Sequence, residues 1–113
     1  MELTEMTMFT EDVDSMASFY RRLFGSDPVT RHDGIAIFDV GGVEILIHEQ
    51  PEPSSDGPPD EDHFSFAVED VDVSFGRLRE QGLDVIHEPA DYDWGRSAYL
   101  RDLDGRLVEL ARR

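Results

Sequence analysis

The sequence predicts an α+β fold built from two βαβββ modules, and three observations carry that expectation. The tetrapeptide Glu-Asp-Val-Asp occurs twice, at Glu11–Asp14 and Glu69–Asp72. Each copy follows an extended segment and opens a stretch of helical periodicity that stops at a glycine, Gly25 or Gly82. After each helical stretch come apolar runs divided by glycine-containing turns, as consecutive strands are.

The elements follow in chain order. In the first module, residues 1–50, Leu3 to Phe9 reads as a strand with Met6 and Met8 on one face and Glu5, Thr7 and Phe9 on the other. Asp12 or Asp14 can cap a helix whose Val13, Met16, Ala17, Tyr20, Leu23 and Phe24 recur on one side. A short strand is expected near Val29 to Arg31. Ile35 to Val40 and Val43 to His48 then form a hairpin across Gly41-Gly42, a two-residue loop that favours positive φ. Pro51 to Asp62 holds four of the six prolines and no core-forming residue, which marks a linker. The second module, residues 63–113, begins with the strand His63 to Val68 and a shorter helix with Val71, Phe75 and Leu78 inside. A weak strand is expected at Asp84 to His87, and Tyr92, Trp94 and Arg96 are expected in a loop where aromatic rings can stack on a ligand. Ser97 to Asp102 and Leu107 to Ala111 close the module around Leu103-Asp104-Gly105.

A chain of 113 residues, 39% hydrophobic, is long enough for one compact domain, and a single domain over 1–113 is expected. Without cysteine there are no disulfides or thiolate metal sites, which leaves His, Asp and Glu as the strong metal ligands. The 26 acidic residues outnumber the 10 basic ones, all of them Arg, for a formal net charge of -16. Such a surface repels nucleic acid and anionic lipid. It suits a salt-rich, halophilic interior, where screening is strong. A high-GC genome would explain the missing Lys but not the excess of Asp and Glu. The amino terminus lacks the basic and apolar regions of a secretory signal, so a cytoplasmic location is expected.

Strand alternation sorts the side chains by face. Phe64, Phe66 and Val68 oppose His63, Ser65 and Ala67; Val108 and Leu110 oppose Leu107, Glu109 and Ala111. Val43, Ile45 and Ile47 oppose Glu44, Leu46 and His48, and Ala98 and Leu100 oppose Ser97, Tyr99 and Arg101. One face therefore mixes polar with apolar groups, as small-ligand sites do. Taken singly, Glu109 also reads as the solvent face of an edge strand and His63 as a surface residue at a strand start. Arg101 can grip a carboxylate or phosphate, or simply pair with a surface acid. His32 and His87 are assigned to loops or strand ends, and Met6, Met8 and Met16 to core filling.

With these elements the chain resembles the vicinal-oxygen-chelate superfamily, which includes glyoxalases, extradiol dioxygenases and bleomycin-resistance proteins. The resemblance rests on the openings Asp12-Val13 and Asp70-Val71, on Phe19-Tyr20 with Leu23 and Gly25, and on the closing run from Asp102 to Leu110, in which Leu103 replaces the usual proline. It implies two modules forming a curved, half-open mixed sheet. It also implies four ligand positions, which fall on Glu5, Leu46, His63 and Glu109. Leu46 cannot ligate, and His48 on the same strand face is a remote substitute. A three-ligand site of Glu5, His63 and Glu109 would take a divalent metal, Mn, Fe, Ni or Zn, as Lewis acid. Thr7, Leu46, Ser97, Tyr99 and Arg101 would contact substrate, and Glu44 is the available base. The implied function is a glyoxalase-like lyase, dioxygenase or transferase acting on a small molecule; the alternative is a metal-free protein that sequesters a small apolar or aromatic compound. A homodimer is implied as well.

Overall fold

The computed structural model describes residues 1–53 and 57–112. The described residues form an α+β fold of eight strands and two helices, divided into two compact units. The first unit is Glu5–Asp62; the second combines Met1–Thr4 with the chain from His63 onward. Residues 54–56 of the expected linker lie outside the described residues.

The first unit contains β1 (Glu2–Thr10) from Glu5 on, α1 (Val13–Phe24), β2 (Thr30–His32), β3 (Ile35–Val40) and β4 (Val43–Glu49). Its strands are ordered β2-β3-β4-β1. Both hairpin neighbours are antiparallel, whereas β1 runs parallel to β4. Asp12 caps α1, its carboxylate accepting from Ser15 N at 3.0 Å and from Ser15 Oγ at 2.7 Å. Gly25 ends the helix in the left-handed conformation, donating to Arg21 O at 2.9 Å. Gly41 and Gly42, at φ 60° and 91°, make the expected two-residue turn between the paired Val40 and Val43. The core is Val13, Ala17, Ala36, Phe38, Ile45 and Ile47, with Met6, Met8, Met16 and Tyr20 packed against it. Leu23, expected inside, is 63% exposed: Val13, Ala17, Tyr20 and Phe24 define the face turned to the core, and Leu23 lies beyond its edge.

The second unit repeats this plan with β5 (His63–Val68), α2 (Val71–Glu80), β6 (Asp84–Tyr92), β7 (Gly95–Arg101) and β8 (Leu107–Arg112), ordered β5-β8-β7-β6. Here β5 is parallel to β8, as β1 is to β4. Asp70 caps α2 through Val73 N, 3.1 Å from its Oδ1. The helix stops at the expected glycine: Gly82 N donates to Arg79 O and Leu83 N to Leu78 O, a Schellman closure around Gly82 at φ 82°. Val68, Val71, Phe75, Ala98, Leu100 and Leu110 form the core beneath the helix. Phe64, on the same strand face as Phe66 and Val68, is 37% exposed at the start of its strand.

The strand expected at Asp84 to His87 is longer, reaching Tyr92, and so Tyr92 and Arg96 sit on strand ends around a tight turn rather than in a loop. Two register shifts, between Val85 and His87 and between His87 and Ala90, break its alternation. Pro89 lies in the second shift, on the strand that ends the unit's order, where its missing N–H removes no ladder bond from a central strand.

Candidate functional site

The site is built on three adjacent strands of the second unit. In register, Glu109 on β8 stands opposite Ser65 on β5 and Tyr99 on β7. Phe66, Val68, Ala98, Leu100 and Leu110 point to α2, so His63, Ser65, Ser97, Tyr99 and Glu109 share the other face. Ser65 Oγ donates to Glu109 Oε1 at 2.5 Å, and Tyr99 OH donates to Glu109 Oε2 at 3.1 Å. His63 Nε2 lies 3.4 Å from Oε1, with both side chains buried. Ser97 also donates to this carboxylate while accepting from Trp94 Nε1 at 2.9 Å.

Burial alone would raise the pKa of Glu109, since it penalises the charged form. The hydrogen bonds from His63, Ser65 and Ser97, together with the charge of His63, outweigh it and hold the carboxyl below its ordinary value. The carboxylate is thus ionised in a dry place, with protein donors standing where water was. Around it lie aromatic rings: Tyr99 meets His63 and His87 edge to face, each at 6.0 Å between centroids, and Tyr92 stacks on Trp94.

The remaining residues that the sequence points to fall elsewhere. Glu5 belongs to the first unit, where its Oε1 accepts from Thr7 Oγ1 at 2.8 Å. Thr7 is buried opposite the half-buried Leu46, and Glu5 is opposite the exposed Glu44. His48 Nδ1 lies 2.6 Å from Glu49 O, with its ring against Phe9. Arg101 Nη1 donates to Gly105 O at 2.9 Å. In neither unit, among the described residues, do three His, Asp or Glu side chains gather as they would round a metal ion.

Two participants escape a reading of the sequence. Ser65 shares a face with His63 by alternation, but an isolated serine carries no signal of its own. His87, expected at a loop or strand end without a role, is inside β6 opposite Tyr99, and the register shifts on either side hide its direction from a simple alternation.

Residues 2–110, nearly the whole chain, match the family described as the Glyoxalase/Bleomycin resistance protein/Dioxygenase superfamily. The chain belongs to this superfamily. A metallothiol transferase, FosB, of Shouchella clausii is 28% identical over 96% of this chain and 77% of its own length. Among solved structures, an NAD-dependent benzaldehyde dehydrogenase from Legionella pneumophila superposes with a TM-score of 0.78 at 18% identity, covering 96% of each chain. The Streptomyces coelicolor methylmalonyl-CoA epimerase does so with a TM-score of 0.69 at 22% identity, covering 98% of this chain and 93% of its own. At those identities the two structures establish the fold and nothing finer. Among the described residues no helix is long and apolar enough to cross a membrane.

Proposed function

We propose that the protein is a small-molecule enzyme of the vicinal-oxygen-chelate type that holds a divalent metal through His63 and Glu109. The observation that carries this reading is the buried His63–Glu109 pair. Two ligand atoms on one ion, each about 2.1 Å from it at a tetrahedral or octahedral angle, lie roughly 3.0–3.4 Å apart. The 3.4 Å between His63 Nε2 and Glu109 Oε1 suits that spacing. An imidazole with carboxylates fits Mn, Fe(II), Ni or Zn. Bound there, the ion would supply Lewis-acid polarisation of substrate oxygens.

The chain's own groups do the rest. Ser65 and Tyr99 fix the two oxygens of Glu109, and such outer partners orient a ligand and tune its basicity. His63 Nε2 must give up its proton to ligate, so metal affinity should fall in acid. Ser97, Tyr99 and Arg101, which strand alternation assigns to the face of Glu109, are this reading's candidate substrate contacts. Among lyase, dioxygenase and transferase, the metallothiol transferase relative favours group transfer. With no cysteine in the chain, a thiol would have to arrive as a co-substrate.

One observation favours a second reading, a metal-free protein that binds a small apolar or aromatic compound. Both Glu109 oxygens already have protein donors, so the network is satisfied without a cation. Metal analysis of protein purified without a His tag, followed by thermal unfolding in chelator and then with each of the four metals, separates the two. A hundredfold excess over Kd should stabilise wild type by about 2.7 kcal/mol and His63→Ala by far less. If no metal raises the wild-type midpoint above the variant's, the binder reading replaces the enzyme.

A further inference from the structure

Helix α1 carries more apolar surface than the sheet beneath it covers. Val13, Ala17, Tyr20 and Phe24 lie on the core, whereas Phe19 and Leu23, one turn apart on the adjoining flank, are 51% and 63% exposed. Met16, half-buried at the edge of the core, continues this flank, so Met16, Phe19 and Leu23 follow one another at steps of three and four residues. Phe19 meets Tyr20 edge to face at 5.0 Å between centroids, which fixes the exposed ring. A lone exposed apolar side chain is ordinary, but a continuous seam with the spacing of a helix-packing surface marks a contact.

The charges on α1 are divided between its ends. Glu11, Asp12 and Asp14 stand at its head, and Arg21 and Arg22 in its last turn. Asp12 is occupied as the cap, Asp14 pairs with Arg31, and Arg21 lies 3.6 Å from Asp27. Glu11 and Arg22 are left over. Among the described residues Glu11 makes no hydrogen bond or ion pair, and Arg22 makes only the bond from Nε to Ser18 O at 3.3 Å. Arg22 lies about 60° round the helix from Phe19, beside the seam.

We propose that this seam is a docking surface for a second copy of the chain, with the two α1 helices antiparallel. Setting Phe19 of each copy against Met16 of the other brings Arg22 within two residues, about 3 Å along the axis, of the level of the second copy's Glu11. The unpaired charges then meet twice across the two-fold axis. The same arrangement lays the head of each helix against the last turn of the other, which suits their dipoles, whereas a parallel one would set like charges together. The net charge of -16 works against any approach of two copies, so the contact should strengthen as salt screens the repulsion of the whole molecules.

Sedimentation equilibrium of the full chain at about 0.1 M and about 1 M KCl tests the proposal, with chelator present to keep the outcome independent of any metal. Wild type should dimerise reversibly in molar salt. Phe19→Gln and Leu23→Gln, which keep good helix formers on the exposed flank, should each raise the dimer Kd roughly tenfold or more and leave the unfolding midpoint of dilute protein unchanged. The charges are tested at the lowest salt in which wild type dimerises. Arg22→Glu should weaken the dimer there, and so should Glu11→Arg, although it lowers the net negative charge. The two changes together should restore the dimer, a rescue that requires a second copy running in the opposite direction. A monomer at every concentration in both salts, a dimer that Phe19→Gln and Leu23→Gln leave intact, or a charge swap without rescue would overturn the proposal.

Discussion

The Glu109 carboxylate stays ionised in a buried position because His63, Ser65, Ser97 and Tyr99 supply the donors that water would otherwise supply. Its folded pKa lies below the ordinary 4.5, so the stability it contributes is fully present above that value and is lost as the pH falls through the lowered one. Ser65→Ala removes the shortest of these bonds, and a hydrogen bond to a charged group contributes about 1.5–3 kcal/mol. Urea unfolding near neutrality should show a loss of that size. The loss should shrink in acid, where the carboxyl is protonated in both states, and Glu109→Gln should flatten the acid limb; a Ser65→Ala cost independent of pH would contradict the assignment. Alternation alone places Glu109, His63, Ser97 and Tyr99 on one face, because β5, β7 and β8 keep regular ladders. It fails for His87, whose strand is interrupted on both sides.

Element boundaries are legible in the sequence where a side chain or a turn enforces them. The Glu-Asp-Val-Asp repeat works because its second residue caps: Asp12 and Asp70 each accept from the backbone N–H three residues on. The two glycines of α2 and its end separate conformation from packing. Gly82 has φ 82° and Gly76 lies within the helix, and a Cβ on either would meet nothing within 4 Å. Neither substitution by alanine therefore changes packing. Gly82→Ala should cost about 1–2 kcal/mol, because an L-residue is strained in the left-handed region. Gly76→Ala should stabilise by about 0.5–1 kcal/mol, since glycine lowers the stability of a helix interior. Chemical denaturation of the two variants should thus move in opposite directions, and a shift of like sign would refute this account of the helix end. What sequence could not supply is the length of β6: Pro89 and the two shifts mask a strand that runs to Tyr92.

At the scale of the whole molecule, charge governs behaviour. Ten Arg cannot neutralise 26 Asp and Glu one for one, even though Arg31, Arg79, Arg96 and Arg106 all contact carboxylates. These pairs are exposed, and such bridges contribute little individually. The excess negative charge therefore opposes compaction and, more strongly, the close approach of two copies. Raising KCl from about 0.1 M to 1 M shortens the Debye length from about 10 Å to about 3 Å and screens that repulsion. The unfolding midpoint should rise with KCl, most steeply over that range, and hardly respond to the same osmolarity of sucrose. A homodimer, if the family's habit of pairing holds here, has twice the charge to bring together, so its share should grow with salt at fixed protein concentration. Light scattering measured across the same KCl series checks this. A fold equally stable in low salt would remove the halophilic reading, and a monomer's mass at both moderate and molar KCl would remove the dimer.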